Sequence, residues 1–192
     1  MSKSKKKVKN LHKPRLNVTD NISKLDDIIY IDFTKYDKWL DSVELDDFTN
    51  YFHDEKEALK KLYFVLHQLI PDIEKKGKEI FKEKHCHPVK WKQATKAIKI
   101  VKKLHGKNVL DDETEIWELS AQKGGVRIFG VFINDTFRRF YPLFMDYHHL
   151  LYSDKNYNEA DYKNNKLEQN ILIRSAFSWL FIPSLKNLKL RN

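Results

Sequence analysis

The sequence predicts an α+β fold: a helical hairpin packed on a small antiparallel β-sheet, with an added N-terminal helical region and a C-terminal helical tail. Three observations predict it. Between Asp54 and Leu104 apolar residues recur at helical spacing. Between Glu115 and Tyr152, β-rich runs are separated by Gly-Gly and Asn-Asp turn signals. From Ile171 to Leu190 the chain is apolar again, enough to pack back onto the domain.

The elements follow in order. Met1 to Arg15 holds seven Lys or Arg and no acid, and has too few apolar residues to offset ordering entropy. Residues 1–20 are therefore expected as a disordered basic arm. Ile28 to Phe33 (IIYIDF) is rich in β-formers and reads as a strand. Asp46 to Phe52 reads as the start of a helix. From Asp54 to Lys84 the stripe Ala58, Leu62, Val65, Leu66, Leu69, Ile73, Ile80 marks a helix that Pro71 should kink or split. A strand and helical region thus fills 21–84.

The α+β core with its C-terminal extension is assigned to 85–192. Pro88 precedes a helix over Lys90–Leu104, whose apolar stripe includes Trp91, Ala94, Ala97, Ile98, Val101 and Leu104, and His105-Gly106 is its stop. Strands are expected over Glu115–Ala121, Val126–Ile133 and Thr136–Tyr152. They are joined by Lys123-Gly124-Gly125 and by the hairpin Asn134-Asp135, with a bend at Pro142. Asn158 to Gln169 reads as a surface helix.

Composition narrows the function classes. The 192 residues are 41% hydrophobic and 13% aromatic, enough for a core, and carry a net charge of +9 with a pI near 9.4. Such a surplus favours polyanionic partners such as nucleic acid, although many basic proteins simply bind acidic proteins. Cys86 is the single cysteine, so an intrachain disulfide is excluded and a reducing cytoplasm suits the chain. The N-terminus lacks the apolar run of a signal peptide, and the apolar stretch Ile171–Ile182 is shorter than the roughly 20 residues a spanning helix needs. No P-loop, GxGxxG, HExxH or EF-hand pattern occurs, and no cofactor is expected.

Charge is arranged in blocks. Asp20 to Glu57 carries twelve acids against four lysines, whereas Lys84 to Leu110 has eight lysines, three histidines and no acid. The acidic block could lie over the basic one, or both could be solvated faces. Lys90, Lys92, Lys96, Lys99 and Lys103, with Arg138 and Arg139, are the expected nucleic-acid contacts, and Trp91, Tyr141 or Tyr147 would stack bases if exposed, core packing being the expected fate of most aromatics. His85-Cys86-His87 offers zinc-type ligands but lacks a second pair at standard spacing, so no metal is expected.

The succession of a lysine-rich helix, Trp117-Glu118-Leu119, Gly124-Gly125, Val126-Arg127-Ile128-Phe129 and Asn134-Asp135 resembles the RelE/ParE-like toxin superfamily over about residues 88–152. The resemblance implies a metal-independent endoribonuclease of a toxin–antitoxin system, acting on mRNA presented by the ribosome and neutralised by an acidic antitoxin-like partner. It also implies that Arg127 grips the scissile phosphate, as Arg can do with two oxygens at once. His148 or His149 would transfer protons, with Tyr147 as substitute. From the residues alone, Arg127 could instead pair with Glu115 or Glu118. The two adjacent histidines would point to opposite faces of a regular strand. The competing reading is a phage- or plasmid-encoded binding protein without catalysis.

Overall fold

In the computed structural model the described residues are 27–111, 113–121, 125–133, 139–154, 156, 158 and 164–167. Within them the strands are β1 (Tyr30–Ile31), β2 (Glu44–Leu45), β3 (Phe48–Thr49), β4 (His87–Pro88), β5 (Trp117–Ser120), β6 (Arg127–Phe132) and β7 (Arg139–Asp146). The helices are α1 (Glu55–Phe64), α2 (Ile70–Lys76) and α3 (Trp91–His105). The basic arm, Asn134-Asp135, Arg138 and the apolar C-terminal segment lie outside the described residues, as does most of the surface helix expected over Asn158–Gln169.

The sheet order is β1-β7-β6-β5-β4. The β5–β6–β7 meander is antiparallel, but β1 joins β7 in parallel, so the sheet is mixed rather than antiparallel throughout. Alternation along β6 explains the layers. Ile128 faces a core built with Ala58, Val65, Leu69 and Ile73 from α1, α2 and the turn between them. Phe129 faces a second core with Ala97, Ile100, Val101 and Leu104 from α3. The helices therefore cover opposite faces, instead of forming one hairpin on one face. The segment expected as an N-terminal addition supplies both the edge strand and one complete helical layer.

Local chemistry sets the element ends. Asp54 caps α1 by accepting from the Glu57 N–H at 2.7 Å, and the Glu57 carboxylate accepts from the His53 N–H at 2.8 Å. The irregularity expected around Pro71 falls just before it, as a π-helical turn over Val65–Leu69; Pro71 then sits in the first turn of α2, where its missing N–H costs least. Gly106 ends α3 at φ 100°.

Two expectations are corrected. Asp46–Phe52 is a hairpin arm, not a helix. Phe48 and Phe52 are both fully buried, one in each core, and one helix face could not serve both. The Asn50 side chain closes this hairpin, accepting from the Val43 N–H and donating to the Asp41 carbonyl. The last strand stops at Asp146 rather than Tyr152. Its carboxylate accepts from the N–H groups of His148, Leu150 and Leu151 at 2.8–3.1 Å and bends the chain into a short 3₁₀ turn, Leu150–Tyr152.

Candidate functional site

The first candidate surface is the outer side of α3. At about 100° per residue, Trp91, Lys92, Thr95, Lys96, Lys99, Lys102 and Lys103 fall in one arc, opposite the buried Ala97, Ile100, Val101 and Leu104. Trp91 is 87% exposed, and Lys90, Lys92, Lys99 and Lys102 are exposed without a described partner. One rim of the arc is occupied. Lys96 Nζ lies 2.7 Å from Asp47 Oδ1 and donates to the Leu150 carbonyl, while Lys103 donates to the Glu44 carbonyl. The β2–β3 hairpin of the acidic block thus lies against the basic helix. Asp46 and Asp47 share with Lys92, Lys96 and Lys99 a groove of about 330 Å³. Arg139 stands apart, at the other edge of the sheet, 3.3 Å from Asp32.

The second candidate is a polar cluster at the end of β5 and β6 on the same side of the sheet. Arg127 opposes Ser120 and Asp146 in register, and His87 opposes Glu118. Arg127 is not an open phosphate clamp. Its side chain is only 9% exposed, and Nε lies 2.8 Å from Oε1 of Glu118, itself 1% exposed. The N–H does not point along that line, so charge rather than a hydrogen bond holds the pair. Burial pushes the Glu118 carboxyl above its usual range, opposed by Tyr152 and by the Arg127 charge. Burial and the Glu118 carboxylate push the Tyr152 phenol up as well.

The two adjacent histidines separate, because the chain there turns rather than continuing as a strand. His148 is drawn toward α1, with Nε2 2.8 Å from the Tyr51 carbonyl and Nδ1 3.8 Å from Glu57. His149 adopts φ 61°, ψ 31°, a left-handed conformation rare for a residue with a Cβ. Its ring lies 6.4 Å from that of His85 and 5.3 Å from that of Tyr152. His149 is thus the histidine that approaches the Arg127 cluster, together with His85 of the His85-Cys86-His87 run, for which the sequence pattern offers only a metal role. Tyr147 is buried against Phe52, with ring centroids 4.6 Å apart. No cluster of three metal-type ligands occurs among the described residues. Cys86 points into the core, its thiol 3.5 Å from the Ser120 carbonyl.

His85 gives a pH-dependent expectation. Burial, then the charges of Arg127, Lys84, His149 and His87, hold its pKa below the ordinary 6.5. The unfolded chain takes up that proton more readily. The stability tied to neutral His85 is therefore complete above pH 6.5 and is lost as pH falls through the lowered folded value. His85→Gln should flatten the decline of the thermal midpoint below that pH. Parallel profiles for the two proteins would exclude this assignment.

No helix among the described residues is long and apolar enough to cross a membrane. No solved structure matches the chain. A protein of Ureaplasma parvum serovar 3 (strain ATCC 700970), described as Uncharacterized protein UU032, is 36% identical over 160 residues, covering 82% of this chain and 90% of the relative. Residues 35–181 match the family described as Uncharacterised protein UU032. These matches overturn the resemblance to the RelE/ParE-like toxins. The motifs behind it are those of any β-meander with a Gly turn, and its key Arg127 is committed to Glu118. Since the match spans most of its length, the chain belongs to the UU032 family.

Proposed function

We propose that this protein binds nucleic acid, RNA first, along the outer side of α3 and without cutting it. The observation that carries the reading is the exposed arc of Lys92, Lys99 and Lys102 beside the 87% exposed Trp91, on a helix with no acid in its sequence. Lysines along one helical face supply sequence-independent phosphate contacts, and an exposed indole supplies a stacking platform. The affinity should fall with salt, because phosphate neutralisation releases counterions. Lys96 and Lys103 contribute less than the sequence suggests, since the β2–β3 hairpin engages them.

The test is binding of single-stranded RNA across a salt series. Lys92→Gln, Lys99→Gln and Lys102→Gln combined should lower the slope of log affinity against log salt by about 2. Trp91→Ala should weaken binding by about 1–3 kcal/mol. RNA binding that ignores both changes, or no binding at low salt, would sink the reading.

Strand cleavage draws support from one contact, the His85–His149 approach, which could pair a base with an acid. The buried Arg127 argues against it, because a phosphate would have to displace Glu118. RNA that stays intact during long incubation with wild-type protein would remove that second reading.

A further inference from the structure

We propose that the tip of the β2–β3 hairpin, Asp46-Asp47, is a built-in competitor for RNA phosphate: Asp47 occupies Lys96, in the middle of the α3 arc, until a bound strand displaces it. The proposal rests on the reading of α3 as an RNA-binding surface and adds its regulation.

Position makes the contact competitive. Lys92, Lys96 and Lys99 are four and three residues apart, so they stand one above another on the same side of α3. A strand that bridges Lys92 and Lys99 must cross Lys96, and there it meets the Asp47 carboxylate 2.7 Å from Nζ. Asp46 and Asp47 both line the groove of about 330 Å³ that these three lysines share. A carboxylate is anionic and accepts only, as a phosphodiester does, so the two compete for the same ammonium. Ser153 donates to Oδ2 of Asp47 at 2.7 Å, which leaves Oδ1 for Lys96. Burial opposes the charge on Asp47, but the bonds from Lys96 and Ser153 outweigh it and hold the carboxyl below its ordinary range.

The contact is also weak enough to open. The base of the hairpin is fixed. Phe48 is buried edge-on against Phe144, with ring centroids 5.9 Å apart, and the Asn50 side chain closes the arms. The tip consists of two turn residues, with Asp46 at φ 52°, and the Asp47 side chain is 56% exposed. An ion pair with so exposed a partner is weakened by water and salt. Lys96 keeps its place without Asp47, because it donates to the Leu150 carbonyl at 2.9 Å and lies 5.8 Å from the Phe48 ring centroid. An ammonium has three donors, so one freed from Asp47 can turn to a phosphate while another holds Leu150.

The test measures binding of labelled single-stranded RNA by the full chain across a salt series, for wild type, Asp47→Asn, Lys96→Gln and the double variant. Asp47→Asn should tighten binding severalfold at low salt. It should also steepen the slope of log affinity against log salt by about 0.7, the increment for one more phosphate contact on a single strand. In the Lys96→Gln background the same change should bring no such gain, which separates a released Lys96 from the bare loss of one negative charge. A gain that persists without Lys96, or no gain at all, overturns the proposal; if wild type meanwhile binds through Lys92, Lys99 and Lys102, the RNA reading stands without it. No binding by wild type or by Asp47→Asn at low salt overturns both.

Discussion

Glu118→Ala is expected to lower the unfolding free energy by about 3–5 kcal/mol. Glu118 is 1% exposed and lies 2.8 Å from Arg127 Nε, whose side chain is 9% exposed. Alanine would leave a guanidinium that cannot give up its proton, sealed between β5, β6 and the 3₁₀ turn. The penalty comes from stranding that charge, not from the intrinsic worth of the pair. Replacing both partners with apolar residues of similar size should accordingly cost much less than either single change, and can even stabilise. Denaturant midpoints for the two single variants and the double variant form the required cycle. Single variants that cost under about 1 kcal/mol would show that water reaches the pair and that Arg127 is open after all.

Gly130→Ala should be the most damaging single-methyl change in the sheet, at about 1–3 kcal/mol and toward the upper end. Gly130 stands opposite Pro142 at the irregularity between β6 and β7, which leaves Leu143 unopposed. A Cβ there would overlap the Tyr141 carbonyl oxygen and sit 2.6 Å from Phe140 Cζ. A backbone oxygen cannot swing aside as a flexible side chain can. Relief would have to spread along the register that sets the stacked Phe129 and Phe144 rings, 4.7 Å apart between the two central strands. A denaturation midpoint within error of wild type would mean that the bulge yields more easily than this packing implies.

The meander and α3 were legible in the sequence because their signals are local. Period-two runs between turn residues mark β5 and β6, and a 3.6-residue stripe ending at His105-Gly106 marks α3. Asp46–Phe52 was misread because its two buried phenylalanines serve different cores, which no local period reveals. The length of β7 was misread for a related reason. Asp146 looks like any strand residue until its carboxylate gathers three N–H groups from the following turn.

The candidate site divides in the same way. Lys92, Lys99 and Lys102 could be placed on one side of a helix from spacing alone, but Trp91 was assigned to the apolar stripe, and only the structure shows it 87% exposed beside them. That Lys96 faces Asp47 depends on where the β2–β3 hairpin docks, 49 positions earlier in the chain. Whether Arg127 would reach a phosphate or Glu118 was open in the sequence, since both are reasonable for an arginine on a strand.

By itself, then, the sequence determined the chain's basic character, its mixture of helix and strand, and the lysine-bearing helix. These follow from residue types and short periods, which act over a few residues. Only the tertiary structure decided that the helices lie on opposite faces of one mixed sheet, that Arg127 is spent on Glu118, and that His149 meets His85 while His148 turns to α1. The physical reason is that burial and charge pairing depend on distance in space. Neighbours distant in the sequence set that distance, and a local pattern carries no record of them.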